Sequence, residues 1–135
     1  MAKVLLLIVE DEVTLANMYA EKLRIEGFDV DIAHDGLEGF EKMKLEQPNL
    51  VLMDIMMPNL NGLDTLERAK QDPTTKNIPI LMLTNLSGIA DIQAAVKKGA
   101  VGFIVKSELT PGEVVQKIRS ILQAQASIQP GLAAA

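Results

Sequence analysis

Five polar side chains end apolar runs at points where a fully buried chain should carry none. Glu10 and Asp11 follow the run Val4–Val9, Asp54 follows Leu50–Met53, Thr84 follows Ile80–Leu83, and Lys106 follows Phe103–Val105. Asp54, inside "LVLMDIMMPNLNG" at residues 50–62, is the clearest misfit. A lone carboxylate in such a run is costly to bury and is usually paired when it is buried. If these runs lie side by side, three carboxylates, a hydroxyl and an ammonium meet. Carboxylates so gathered repel one another, and they either hold a proton or bind a cation. Hard oxygen donors suit Mg²⁺, which takes one or two carboxylates and keeps several waters. In such a site one carboxylate can attack a phosphoryl group while metal and ammonium neutralise the equatorial oxygens. Asp54 stands alone in its run and is the candidate nucleophile, whereas Glu10 and Asp11 act together.

Elements that could bring these residues together follow from the periodicity. The four runs above and Val30–Ala33 are short and apolar, as strands buried on both faces require. Between them the period changes to that of a helix. Ala16, Tyr19, Ala20 and Leu23 form one stripe, Val114, Val115, Ile118, Ile121 and Leu122 another, and Ile89, Ile92, Val96 and Gly99 a weaker one. Gly27 and Gly99 are placed to end helices in the left-handed conformation. Asp35 is positioned to cap a helix beginning near Leu37, and Thr110 with Pro111 to open the last one. Pro79 is expected at the first residue of its strand, and Pro58 with Gly62 forms a turn that leaves Asp54 accessible. Five strand–helix units imply an α/β fold, a doubly wound five-stranded parallel sheet with five helices. In the order 2-1-3-4-5, all the singled-out residues share the carboxyl edge where open α/β sheets place their sites.

Each residue has a plainer explanation when taken alone. Glu10, Asp11 and Glu12 are the acids a helix N-terminus favours, Thr84 suits a strand, and Lys106 is a surface lysine by default. Their shared edge is what argues for a site. His34, the only histidine, is expected in a solvent-facing loop, and the methionines of "LMDIMMP" in the core.

The chain has 135 residues, 48% of them hydrophobic, and a formal net charge of −5, which fits one domain. The domain is expected over residues 1–123, with a frayed tail over 124–135. No apolar stretch reaches the roughly 18 residues of a membrane span. The N-terminal run ends in acids without a cleavage site and reads as a strand. The acidic balance with 3% aromatics argues against a nucleic-acid surface. Cysteine is absent, which excludes disulfides and thiolate metal sites.

The segments "IVEDE" at 8–12, "LVLMDIMMPNLNGL" at 50–63, "ILMLT" at 80–84 and "KKGAVGFIVK" at 97–106 together resemble the receiver domain of two-component response regulators, over roughly residues 3–123. The resemblance implies a flavodoxin-like fold of the cytoplasm, expected here as a stand-alone receiver since no output domain follows residue 123, with the excised receiver of a longer protein as the alternative. It implies that Asp54 accepts a phosphoryl group from a histidine kinase or histidine phosphotransfer protein. Asp11, Asp54 and the backbone carbonyl of Met56 would bind Mg²⁺ or Mn²⁺ directly, and Glu10 through a water. Thr84 and Lys106 would grip the phosphoryl oxygens, and Phe103 would be the switch aromatic that reshapes the surface of the fourth helix, fifth strand and fifth helix for a downstream protein. No direct DNA contact, membrane association or enzyme activity is expected beyond its own phosphotransfer and dephosphorylation.

Two positions depart from the family pattern. Ser107 follows Lys106 where a proline with a cis bond is usual, so that peptide is either a cis bond costing about 2.5–4 kcal/mol or trans with the lysine aimed differently. Asn85 follows Thr84 where a small residue is common. Three other classes compete. A Mg²⁺-dependent aspartyl-phosphate phosphatase would place a second acid at position 56, which is Met. A flavodoxin-like cofactor binder would need a phosphate loop after the first strand. A scaffold of this fold that is never phosphorylated would not need the full set of polar residues.

Overall fold

In the computed structural model, which describes residues 3–57, 60–85 and 89–128, strands and helices alternate along the chain. They are β1 (Leu5–Val9), α1 (Val13–Ile25), β2 (Asp29–Ala33), α2 (Gly36–Glu46), β3 (Leu50–Asp54), α3 (Gly62–Gln71), β4 (Ile80–Thr84), α4 (Ile89–Lys97), β5 (Gly102–Val105) and α5 (Pro111–Ile128). All strand pairs are parallel, in the order β2-β1-β3-β4-β5. This is the doubly wound sheet read from the sequence.

The continuous apolar runs exist because each strand feeds two cores. Leu6, Ile8, Leu50, Leu52, Leu81 and Leu83 face one side and pack with Ala16, Tyr19, Ala20 and Leu23 of α1 and Val114, Val115 and Ile118 of α5. The alternate residues Leu7, Val9, Val51, Met53, Ile80 and Met82 face the other and pack with Met43 of α2, Leu66 and Ala69 of α3 and Ala95 of α4. The period-2 alternation of a pleated strand makes this division.

Local signals set the ends of the helices. The Asp35 side chain accepts from the Glu38 amide at 2.8 Å. Thr110 and Glu113 form a reciprocal capping box, with bonds of 3.2 and 3.0 Å. Gly27 and Gly99 have φ of +101° and +103°, the left-handed region expected of them. Pro79 stands just before β4, and its carbonyl accepts from Val51 at 2.9 Å.

Two expectations about the helices change. Helix α5 runs five residues past Gln123, to Ile128. "AQASI" at 124–128 has no glycine or proline, and propensity carries the helix onward where the apolar stripe ends. In α4 the buried position is Ala95, while Val96 is 56% exposed, because the helix presents its small side chain to the sheet. Pro58, the side chain of Ile89 and residues 129–135 of the expected tail lie outside the described residues. Among the described residues, no helix is long and apolar enough to cross a membrane.

The outer edge of β2 is covered by neighbouring side chains. Arg24 Nη2 of α1 donates to the Val30 carbonyl at 2.9 Å, and Lys42 Nζ of α2 to the Ile32 carbonyl at 2.7 Å. Asp31 Oδ1 accepts from the Ile32 amide at 2.8 Å.

Candidate functional site

The backbone around the site is held by bonds that continue the sheet ladders one residue beyond the strands. Glu10 N–H donates to Ala33 O at 2.9 Å, Ile55 N–H to Leu83 O at 2.9 Å, and Lys106 N–H to Thr84 O at 2.8 Å. Each functional residue therefore leaves the carboxyl edge of the sheet from a fixed position, which limits the drift of its side chain.

The side chains meet there. Carboxylate oxygens of Glu10, Asp11 and Asp54 all lie within 4.8 Å of one another. Glu10 and Asp54 are 1% and 2% exposed, whereas Asp11 faces solvent at the mouth. Lys106 Nζ lies 2.6 Å from Glu10 Oε1 and 3.2 Å from Asp54 Oδ2. The Met56 amide donates to Asp54 Oδ1 at 3.3 Å and the Glu12 amide to Glu10 Oε2 at 3.2 Å. Thr84 is buried at the end of β4. Phe103 is on β5 opposite Met82, about one-third exposed and outside the acidic group. The Met56 side chain points to solvent, 63% exposed, against the expectation that the methionines of this segment pack in the core.

One ammonium among three carboxylates explains the protonation pattern. Burial pushes the Glu10 carboxyl above its usual range, and the nearby Asp54 carboxylate adds to this against the pull of Lys106. Desolvation and the neighbouring Glu10 raise Asp11 as well. For Lys106 burial works against the charge, but its pairs with Glu10 and Asp54 win and hold the ammonium above the ordinary lysine range. The lysine is over-compensated, and Glu10 and Asp11 are under-compensated. The oxygen-only donor set, open at Asp11, fits a hard divalent cation such as Mg²⁺.

The Lys106–Ser107 peptide is trans. Lys106 nonetheless reaches Glu10 and Asp54, so the family's proline is not required to direct it into the site. His34 is exposed, as expected, just after β2, with Nδ1 3.4 Å from the Glu10 backbone carbonyl. Asn85 is exposed beside Thr84.

The family model described as the response regulator receiver domain matches residues 6–119. The chain belongs to this family. The receiver domain is 39% identical over 120 residues to the response regulator ArlR of Staphylococcus saprophyticus, an alignment covering 89% of this chain and 53% of that protein. It is 36% identical over 122 residues to the transcriptional regulatory protein CpxR homolog of Haemophilus influenzae, covering 90% and 52%. The chain thus spans about half the length of the curated relatives it matches. Among solved structures, the CheY-like response regulator receiver domain protein of Methanospirillum hungatei JF-1 superposes with a TM-score of 0.87 at 28% identity, covering 93% of this chain and 98% of that one.

Sequence reading missed Thr65 and the packing role of Gly62, which it placed only in a turn with Pro58 and which instead opens α3. Gly62 packs directly on the Asp54 carbonyl, where a Cβ would collide, and its amide donates to Ile55 O at 2.9 Å. Thr65 is fully buried, with its hydroxyl on Asn61 O at 2.8 Å. Both depend on how α3 returns against β3, which no local pattern encodes.

Proposed function

We propose that this receiver domain is the phosphoacceptor switch of a two-component phosphorelay. The observation that carries the reading is the Asp54 carboxylate, buried 3.2 Å from the Lys106 ammonium and within 4.8 Å of two further carboxylates. An Asp54 oxygen attacks the phosphorus of a phosphohistidine on a histidine kinase or phosphotransfer protein. The O–P bond forms as the P–N bond breaks, and the imidazole leaves with the electron pair. Lys106 stays charged and neutralises the transferred group, and Thr84 donates to a phosphoryl oxygen. Asp11, Asp54 and the Met56 carbonyl, with Glu10 through water, would hold Mg²⁺, which offsets the charge that builds on the phosphoryl oxygens.

Phosphorylation adds about −1.5 to −2 charges, and the response is a shift between two conformations of the α4–β5–α5 surface that includes Phe103. That surface then binds a downstream protein. The domain works in the cytoplasm, and its net charge of −5 opposes a direct grip on DNA. It is a phosphoacceptor rather than an enzyme. The solvent-facing methionine at position 56 disfavours the phosphatase reading, which needs an acid there.

Intact-mass measurement after incubation with Mg²⁺ and acetyl phosphate tests this. One added phosphoryl group is expected, absent in Asp54→Asn and in EDTA. No adduct from acetyl phosphate or from any phosphorylated histidine donor would sink the reading, and multiple turnover on phosphomonoesters would favour a phosphatase.

A further inference from the structure

Two glycines lie in the first turn of α2, Gly36 at its first position and Gly39 three residues on, although neither has the positive φ that would require glycine. Glycine within a helix costs roughly 1 kcal/mol relative to alanine, which bears on Gly39, and what both glycines have in common is a close approach in space. A Cβ on Gly39 would lie 2.8 Å from Cγ2 of Val9, the residue before Glu10. A Cβ on Gly36 would collide with the Leu60 carbonyl oxygen and the Thr65 hydroxyl, and would lie 3.0 Å from the Leu60 carbonyl carbon. The start of α2 therefore seats backbone to backbone on the segment entering α3.

That segment is tied to the candidate metal site by a short chain of contacts. Thr65, touched by Gly36, donates to Asn61 O at 2.8 Å. The next residue, Gly62, donates to Ile55 O at 2.9 Å and packs on the Asp54 carbonyl. Ile55 is followed by Met56, whose amide is on the Asp54 carboxylate. A larger residue at position 36 would press on Leu60 and Thr65, at the start of this chain of contacts.

We infer that Gly36 is a positioning residue for the cation site: by lacking a side chain it lets α2 clamp Leu60 and Thr65, and so fixes the backbone that presents Asp54 and Met56 to Mg²⁺. This rests on the phosphoacceptor reading and adds a determinant of metal affinity on an element that carries no ligand.

The test is calorimetric titration of Mg²⁺ into wild type, Gly36→Ala, Thr65→Val and Thr65→Ser, with thermal unfolding in EDTA for each. Gly27→Ala is the control, since Gly27 lies in the turn between α1 and β2 and its substitution strains the backbone away from the site. Gly36→Ala is expected to weaken Mg²⁺ binding about tenfold, or ~1.4 kcal/mol, and to slow phosphorylation at low Mg²⁺ more than at saturating Mg²⁺. Gly27→Ala loses stability with its Mg²⁺ affinity unchanged. If Gly36→Ala fails to fold, Thr65→Val decides: it keeps the shape but loses the bond to Asn61, and is expected to weaken Mg²⁺ several-fold while Thr65→Ser restores it. Unchanged Mg²⁺ affinity in Gly36→Ala, or in Thr65→Val where the first does not fold, overturns the inference. A wild type that neither binds Mg²⁺ nor accepts a phosphoryl group overturns instead the phosphoacceptor reading beneath it.

Discussion

Lys106 Nζ is nearer to Glu10 than to Asp54, at 2.6 Å against 3.2 Å. The lysine thus compensates two buried acids at once, and its removal leaves both without a cation. Breaking a buried pair from one side costs about 3–5 kcal/mol. Lys106→Met is expected to lose up to about that much stability in EDTA. Mg²⁺ should recover part of the loss, because a cation bound at 100 times its Kd stabilises by about 2.7 kcal/mol. Urea unfolding with and without Mg²⁺ measures both quantities.

The under-compensated Glu10 gives the metal-free protein a distinct pH response. Its folded-state pKa is raised above the ordinary value of 4.5, chiefly by burial. Between 4.5 and that raised value the folded state binds more protons than the unfolded one. The contribution of Glu10 is therefore fully present below pH 4.5 and is lost as pH rises through the folded pKa. Glu10→Gln should flatten this part of the pH profile and raise metal-free stability at pH 7.5 by on the order of 1 kcal/mol. Thermal unfolding in EDTA across pH 4–8 checks it, and a mutant slope equal to that of wild type would refute it.

Phe103 is part-exposed on β5, so its replacement by alanine removes little buried area. Phe103→Ala is expected to cost under about 1 kcal/mol and to leave uptake of one phosphoryl group intact. The chain has only three phenylalanines, so fluorophenylalanine labelling gives three assignable ¹⁹F signals. Phosphorylation should move the Phe103 signal far more than those of Phe28 and Phe40. Equal movement of all three would place the switch elsewhere.

Gly27 has φ of +101° with nothing within 4 Å of where a Cβ would be. Its substitution is thus strained without being crowded. Gly27→Ala should destabilise by about 1–2 kcal/mol, and Gly27→Asn by less, since asparagine tolerates the left-handed region better. Denaturant midpoints at constant m-value would show the order.

Much of this arrangement is written in local pattern. Strand runs such as Leu50–Asp54 are legible because they are buried on both faces, and Asp35, Thr110, Gly27 and Gly99 are legible because a cap or a left-handed turn restricts residue type within a few positions. Gathering the polar strand ends on one edge required only the sheet order. Thr65 and Gly36 escaped notice, and Gly62 is legible only as a turn residue, because their identities answer to close approaches between separate segments. The last turns of α5 escaped because they lack a stripe, and Val96 misled because a small neighbour, Ala95, took the buried place. The closeness of His34 to Glu10 likewise depends on how β2 lies against β1.

The side chains along β2 also bear on how copies of this domain can meet. An uncovered outer strand is a template on which another chain can add by main-chain pairing. Here Arg24, Asp31 and Lys42 already occupy two outward carbonyls and one outward amide. An incoming strand must displace all three before gaining a ladder, so crowding of this protein in a cell need not lead to sheet-to-sheet fusion at this margin. The double variant Arg24→Ala/Lys42→Ala should self-associate at concentrations where wild type sediments as a single small species.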